Sequence, residues 1–165
     1  MDGQAQEQGP GTSVLTRSNG VNLQFQFRAF GDLTVHELYA LLRLRSDVFV
    51  VEQNCVFLDL DDRDQAAVHV LARNDDALVA YARFYEEHGE LHLGRIVTDR
   101  TVRSQGAGHI LMRACVAEIA RRHPGRAMAM SAQAHLAGFY AQHGFVVQGE
   151  GYLEDDIPHL RMVRG

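Results

Sequence analysis

The sequence predicts a domain of mixed α/β (α+β) class, with strands and helices in the order β-α-β-β-β-α-β-α-β-β. Three observations carry this prediction. Residues 67–98 contain three short apolar strand patterns separated by turns, residues 107–123 contain apolar residues at helical spacing, and a glycine-bearing loop joins the two segments. At 165 residues, the chain is long enough for one domain with a buried core.

The first strand is predicted near Val21. Apolar and polar residues alternate there as in a half-buried strand, and the apolar positions are Leu23, Phe25 and Phe27. We therefore assign residues 21–165 to a single domain. Residues 1–20 are expected to form a disordered tail, since the first part is rich in glutamine and glycine and has neither the basic nor the apolar segment of a signal peptide.

The first helix is predicted from a capping box. Thr34 and Glu37 have the spacing at which each side chain accepts a hydrogen bond from the other residue's backbone amide. The helix should continue to about Phe49, and residues 50–64 should be mostly loop. This loop carries four aspartates, which we interpret as a solvated charge run that can also attract a cationic amine. They are Asp59, Asp61, Asp62 and Asp64.

The next three strands should form an antiparallel meander. Residues 67–72 and 78–85 are joined by the turn-forming sequence at 73–76, and a second turn leads into the strand Leu91–Thr98. Gly94 lies inside this last strand, which indicates a bulge or a place where another group approaches the backbone.

A glycine-bearing loop after the third strand of the meander is the strongest functional signal. It consists of Arg103, Ser104, Gln105, Gly106, Ala107 and Gly108. A helix N-terminus exposes unpaired amides and the positive end of the helix dipole, which suits an anion such as a diphosphate. The two glycines let phosphate oxygens approach the main chain, and the charge of Arg103 can pair with the same oxygens.

The remaining elements alternate between helix and strand. We predict a helix from the glycine loop to His123, a strand at 127–131, a helix at 135–143, and final strands at 145–148 and 159–163. An acidic loop, residues 154–156, separates the last two strands and is also interpreted as solvated. Cys115 falls on the apolar face of the long helix, where a cysteine behaves as a small buried hydrophobe.

Composition excludes several classes of partner. The formal charge of −5 argues against a nucleic-acid or anionic-membrane surface, and no apolar run approaches the roughly 20 residues that cross a bilayer.

The two cysteines lack metal-ligand spacing, so a reducing cytoplasmic location is expected. His88 and His92 resemble a metal-binding pair, but they fall in a turn and a strand instead of on one helix face, so we predict no metal.

Three segments in order resemble the GCN5-related N-acetyltransferase (GNAT) family. They are the strand Leu91–Thr98, the Arg-x-x-Gly-x-Gly loop that opens a long helix, and Phe139-Tyr140 followed by Gly144-Phe145. The segments 48–55, 132–136 and 157–159 resemble the ElaA-like branch of that family. The resemblance covers residues 23–163.

The resemblance implies transfer of an acetyl group from acetyl-CoA to an amine, by direct attack in a ternary complex and without a metal. It implies a mixed, twisted sheet of about six to seven strands with helices on both faces, which splays apart at the Leu91–Thr98 strand. The backbone of Ile96, Val97 and Thr98 would pair with the pantetheine arm, and residues 103–108 would hold the diphosphate. Many members hold the cofactor with an asparagine at the position of Gln133.

The resemblance also implies a general acid and leaves the general base open. Tyr140 would protonate the departing thiolate, because a phenol near pKa 10 can donate to a thiolate whose conjugate acid lies near 8.5. Glu52 is the first candidate for the base, since the segment after the first helix borders the acceptor site in this family. His159 and His69 are further candidates, each with a structural role as the alternative.

Two other functions stay open at this point. Gly106 and Gly108 begin a dinucleotide-binding fingerprint typical of oxidoreductases, but Leu111 replaces its third glycine and a meander precedes it instead of βαβ units. A non-catalytic module that binds acetyl-CoA is the second alternative. The amine acceptor is open among antibiotics, polyamines, amino acids, peptide N-termini and protein lysines, as is a longer acyl group. The family implies a homodimer.

Overall fold

The computed structural model describes residues 14–18 and 21–165. In its N-terminal half, the segments with alternating apolar and polar residues form the strands of a meander. Each strand is antiparallel to the next. The strands are β1 (Val14–Ser18), β2 (Val21–Ala29), β3 (Val68–Asn74), β4 (Ala77–Glu87) and β5 (Glu90–Thr98). The strands predicted between residues 21 and 98 are confirmed. The first strand of the sheet, β1, lies within residues 1–20, the segment that was expected to form a tail.

The C-terminal half adds four strands to the same sheet. They are β6 (Met128–Gln133), β7 (Val146–Val147), β8 (Tyr152–Glu154) and β9 (Ile157–Arg164). β6 runs parallel to β5, and β9 is antiparallel to β6, β7 and β8. The described sheet therefore has nine strands, where six to seven were expected. The additional ones are β1 and β8, and β8 is too short for an alternating pattern to reveal it.

Three α-helices connect these strands. They are α1 (Val35–Arg45), α2 (Ala107–Arg122) and α3 (Ala137–Ala141). The capping box of α1 is confirmed, because the backbone amide of Thr34 donates to Glu37 at 2.9 Å and that of Glu37 donates to Thr34 at 3.1 Å. α1 continues as a π-helical turn, Ser46–Glu52, so the helical segment ends three residues beyond the predicted end at Phe49.

Helices cover both faces of the sheet, as expected. On one face, α1 contributes Leu41 and Leu44, and the π-helical turn after it contributes Val48, to a core with Leu71, Tyr81 and Val97. On the other face, α2 and α3 pack on the alternate residues of the same strands. That larger core includes Val70, Ala72, Ala80, Ala82, Ile110, Leu111, Cys115 and Tyr140. In the described part of the chain, no helix is both long and apolar enough to span a membrane.

Candidate active site

A cleft opens where strands β5 and β6 separate. Their parallel pairing is limited to Leu91 with Met128 and His92 with Ala129, after which the two strands diverge. The cleft has a volume of about 770 Å³, and its walls include Ile96, Val97 and Thr98. The edge of β5 that faces β6 therefore presents backbone amides and carbonyls without a strand partner from β6. These groups can pair with an extended ligand, apart from the carbonyl of Thr98, which accepts from Arg103.

A β-bulge shapes the wall of this cleft. The register of β4 against β5 shifts between Tyr81 and Arg83, which confirms the irregularity expected near Gly94. The residue with left-handed backbone is Arg95 (φ 51°), not the glycine. Its side chain forms an ion pair with Asp59 at 2.8 Å, so a buried carboxylate holds a conformation that is otherwise unfavourable for a non-glycine residue.

The glycine loop delivers α2 with its N-terminal amides uncapped by a side chain. Ser104 (φ 62°) and Gly106 (φ 79°) both have left-handed backbone, and Gly106 is the N-cap residue of α2. The side chain of Gln105 turns back to donate to the carbonyl of Thr101 at 2.7 Å. Among the loop residues only Arg103 lines the cleft, so residues 104–108 lie just beyond it. The uncapped backbone amides at the start of α2 are the groups that could hold an anion there.

Arg103 does not extend freely towards a ligand. Its Nε and Nη2 atoms donate to the carbonyl of Thr98 at 3.1 and 2.9 Å, and Nη2 also donates to Glu52 at 3.1 Å. Nη1 pairs with the other oxygen of Glu52. These hydrogen bonds use four of its five N–H donors, so one N–H of Nη1 remains for phosphate oxygens unless Arg103 gives up Glu52.

Glu52 lies in the cleft but is poorly suited to accept a proton. Hydrogen bonds from two arginines lower the pKa of Glu52 to about 2. The larger effect comes from Arg103 and the smaller from Arg100, which donates at 2.9 Å. A carboxylate with so low a pKa is a weak base at neutral pH. The geometry therefore argues against Glu52 as the general base and for a role in positioning Arg103.

Tyr140 reaches the cleft from α3 and is only 6% exposed. Burial, with a contribution from Cys115, raises the pKa of Tyr140 to about 12, so the phenol is protonated at neutral pH. Burial likewise raises the pKa of Cys115 to about 12, and this cysteine is fully buried as predicted. These surroundings keep the Tyr140 hydroxyl and the Cys115 thiol neutral. Tyr140 must be neutral in order to donate to a developing thiolate.

Gln133 and His159 lie together at the end of β6. The antiparallel register pairs Gln133 with His159, and both residues line the cleft. The amide of Gln133 donates to the side chain of Gln53 at 3.1 Å, across to the segment after α1. His159 Nδ1 lies 2.8 Å from the carbonyl oxygen of Ile157.

A buried network supports the cleft. It consists of the arginines Arg45, Arg83 and Arg95 and the aspartates Asp59, Asp61 and Asp64. Arg45 is fully buried and pairs with Asp59 and Asp64, each at 2.8 Å. Arg83 pairs with Asp64 at 2.6 Å and with Asp61. The interpretation of these aspartates as a solvated run is therefore wrong, apart from Asp62, which is exposed.

The sequence contains a signal for this network. Arg45 occupies a core position of α1, four residues after Leu41, and Arg83 interrupts the apolar run of β4. A charged residue at a core position is costly unless it is paired, and the nearby aspartates are the natural partners. The network ties the loop before β3 to the strands beneath the cleft.

His69 has a structural position. It is fully buried and does not line the cleft, and its ring nitrogens contact the Tyr81 hydroxyl at 2.8 Å and the Asp64 carbonyl at 2.9 Å. Burial lowers the pKa of His69 and favours the neutral ring. Within residues 14–18 and 21–165, no three histidine, cysteine or acidic side chains are grouped so as to hold a metal ion.

Comparisons with known proteins agree with this architecture. Residues 50–164 match the family model described as acetyltransferase (GNAT) domain. Protein ElaA of Escherichia coli is 38% identical over 147 residues, which cover 86% of this chain and 96% of ElaA. The crystal structure of E. coli ElaA has a TM-score of 0.82 at 36% identity, and the match covers 87% of this chain and 99% of that one.

A second solved structure extends the likeness to a protein described by its activity. An acyl-CoA N-acyltransferase from Pseudomonas aeruginosa has a TM-score of 0.81 at 40% identity, and the match covers 86% of this chain and 99% of that one. The chain belongs to the GNAT family, in its ElaA-like branch. It has the fold of the acyl-CoA N-acyltransferases, and the family is one of acyltransferases.

Proposed function

We propose that the protein is an N-acetyltransferase, which transfers the acetyl group of acetyl-CoA to an amine by direct attack in a ternary complex. The observation that carries the proposal is the free edge of β5, which leads from the cleft to the left-handed loop at Gly106 and the N-terminus of α2. An extended pantetheine arm suits the first feature, and a diphosphate suits the second.

In this proposal, Tyr140 assists the departure of the thiolate. A free thiol has a pKa near 8.5, about three and a half units below that of buried Tyr140, so complete proton transfer to a hydrated thiolate would be uphill. Exclusion of water from the thiolate would raise the pKa of the thiol, as burial raises that of Tyr140, and would make donation from Tyr140 more favourable.

The test is an acceptor screen at saturating acetyl-CoA, with thiol release as the signal. The panel contains aminoglycosides, polyamines, amino acids, peptides and lysine-bearing proteins, and the screen is repeated with longer acyl-CoA donors. Amine-dependent release of CoA supports the proposal. Tight binding of acetyl-CoA without turnover on any amine would indicate a non-catalytic acetyl-CoA-binding module, and binding of NAD(P)H in place of acetyl-CoA would contradict the assignment of the glycine loop.

The cytoplasmic location, inferred from two cysteines without ligand spacing, and the homodimer implied by the family belong to the same proposal. Because the chain contains no lysine, any acetylated lysine found in the assay mixture must come from an added protein and not from the side chains of the enzyme.

A further inference from the structure

His159 and Tyr140 lie on opposite faces of the sheet. Five residues of β6 and β9 face the core formed with α2 and α3, to which Tyr140 also belongs; they are Met128, Met130, Ala132, Leu160 and Met162. Since successive strand residues point to opposite faces, Gln133 and its partner His159 point to the face that α1 covers. The cleft between β5 and β6 is lined by both His159 and Tyr140.

The contacts of His159 select one tautomer of the neutral ring. Nδ1 lies 2.8 Å from the carbonyl oxygen of Ile157, which can only accept a hydrogen bond, so Nδ1 carries the proton. The lone pair of the neutral ring is then on Nε2. The ring stacks on Tyr152 with centroids 6.1 Å apart and planes at 22°, which fixes its orientation. A histidine with a donor contact at Nδ1 and a free Nε2 is arranged to accept a proton.

Three other groups of the cleft are less well placed to act as the base. His92 pairs with Ala129, four residues before Gln133 and therefore roughly 13 Å away along β6, and its Nε2 lies 3.4 Å from Glu90. The carboxylate of Glu52 is held by two arginines. His135, in the turn after β6, also lines the cleft, but its ring is exposed and makes no hydrogen bond within the described residues that would select a tautomer.

Several charged and titratable groups lie on the elements around His159. They are Tyr152, Glu154, Asp155, Asp156, Arg161 and Arg164 on and next to β8 and β9, His135 after β6, and Glu52 and Cys55 on the facing wall.

We propose that His159 is the general base of the acetyl transfer, a role that rests on the proposed function. The protonated acceptor R–NH3⁺ gives one proton to Nε2 of His159, and its freed lone pair forms the bond to the thioester carbon. The carbon–sulfur bond breaks, and the sulfur takes the proton of Tyr140. The second proton lost by the nitrogen as the amide forms returns to Tyr140 through water, and His159 releases its proton to solvent. Base and acid thus act from opposite faces of the sheet.

The experiment compares His159→Gln with the wild-type enzyme and with His92→Gln. The dependence of kcat/KM on pH is measured with the best amine of the acceptor screen, and binding of acetyl-CoA and the melting temperature are measured in parallel. His159→Gln should lower kcat/KM by about 100-fold near neutral pH and remove the acidic limb of the profile, while acetyl-CoA binding stays within twofold. His92→Gln, which also removes an imidazole from the cleft, should keep the acidic limb.

The possible results distinguish a wrong assignment of the base from a wrong proposed function. A wild-type acidic limb in His159→Gln, or loss of that limb in His92→Gln, would overturn the assignment of the base while leaving the transferase intact. If His159→Gln fails to fold, His159→Asn, which keeps a donor for the Ile157 carbonyl but has no basic nitrogen, must give the same loss of the limb. Absence of wild-type turnover on every amine would overturn the proposed function itself, and the base with it.

Discussion

Glu52 and Arg103 form an ion pair that joins the two sides of the cleft. Glu52 ends the π-helical turn after α1, and Arg103 begins the glycine loop. The same guanidinium donates to the carbonyl of Thr98 at the end of β5. One side chain therefore links the wall expected to border the acceptor, the strand edge expected to hold pantetheine, and the loop expected to hold the diphosphate.

Substituting Arg103 should weaken binding of acetyl-CoA. Arg103→Gln removes the two bonds to Thr98 and the pair with Glu52, so we expect the loop to lose its fixed position and Kd to rise by about 10-fold, equivalent to about 1.4 kcal/mol. Arg100→Gln is the matched control, because Arg100 also contacts Glu52 but is 71% exposed and does not contact β5. Isothermal titration should give a change below threefold for the control. Equal effects of the two variants would show that Arg103 acts only through its charge.

Replacing Glu52 should leave the acidic limb of the pH–rate profile in place. Hydrogen bonds from Arg103 and Arg100 lower the pKa of Glu52 to about 2, so this carboxylate is already ionised throughout the range in which the enzyme is assayed. The measurement is kcat/KM from pH 5 to 9 for Glu52→Gln, with a saturating amine. An altered KM for acetyl-CoA with an unchanged limb is the expected result, because the substitution releases Arg103. If the limb disappears instead, Glu52 is the base after all.

Removing the hydroxyl of Tyr140 should affect turnover much more than cofactor binding. Tyr140→Phe keeps the packed ring in the core of α2 and α3 but removes the donor to the thiolate. We expect kcat to fall by about 100-fold, while Kd for acetyl-CoA changes by less than threefold. Phe139→Leu, which alters the neighbouring ring on α3 and retains the hydroxyl, serves as the control for packing. An unchanged kcat in Tyr140→Phe would remove this residue from the mechanism.

The fold was predictable where its signals are local. The capping box at Thr34 and Glu37, the alternation in β2 to β5 and the loop at Gly106 each depend on a few adjacent residues, and each is found in the structure. β8 was missed because three residues carry too little pattern. The end of α1 was missed because a π-helical turn extends it with no breaker residue in the sequence.

The location of the site was predictable from the sequence, but the ion pairs within it were not. The sequence shows that Arg103, Glu52 and Tyr140 are present, and the family resemblance places them around one cleft, where the structure also finds them. It does not show that Arg103 is held by Glu52, because the two residues are 51 positions apart and many arginines compete for each carboxylate. For Arg45 and Arg83, the core positions show that each arginine needs a buried partner, but they do not show which aspartate pairs with which arginine. Long-range ion pairs are set by the packing of the whole domain and leave no periodic trace in the sequence.

The buried network makes the stability of the domain depend on pH through Asp61. Burial alone would raise the pKa of Asp61, but the hydrogen bond and charge of Arg83, with the charge of Arg95, outweigh it and lower the pKa from 3.8 to about 2. A carboxyl with a depressed pKa in the folded state stabilises the protein fully above its unfolded pKa, near 4. This contribution is lost as the pH falls towards 2.

Asp61→Asn should therefore be less stable than the wild type at pH 7, and the difference should shrink on acidification. The pH-dependent part of the difference in the free energy of unfolding should be about 2 kcal/mol, since the shift is nearly two pKa units. Urea unfolding at several values from pH 7 to pH 3 should show about half of this change, roughly 1 kcal/mol, because the rest is lost only as the pH falls towards 2. Asp62→Asn is the control, because Asp62 is the exposed neighbour outside the network, and its difference from the wild type should stay within 0.5 kcal/mol at each pH. A difference for Asp61→Asn that does not change with pH would mean that Arg83 stabilises the fold through its other partner, Asp64, alone.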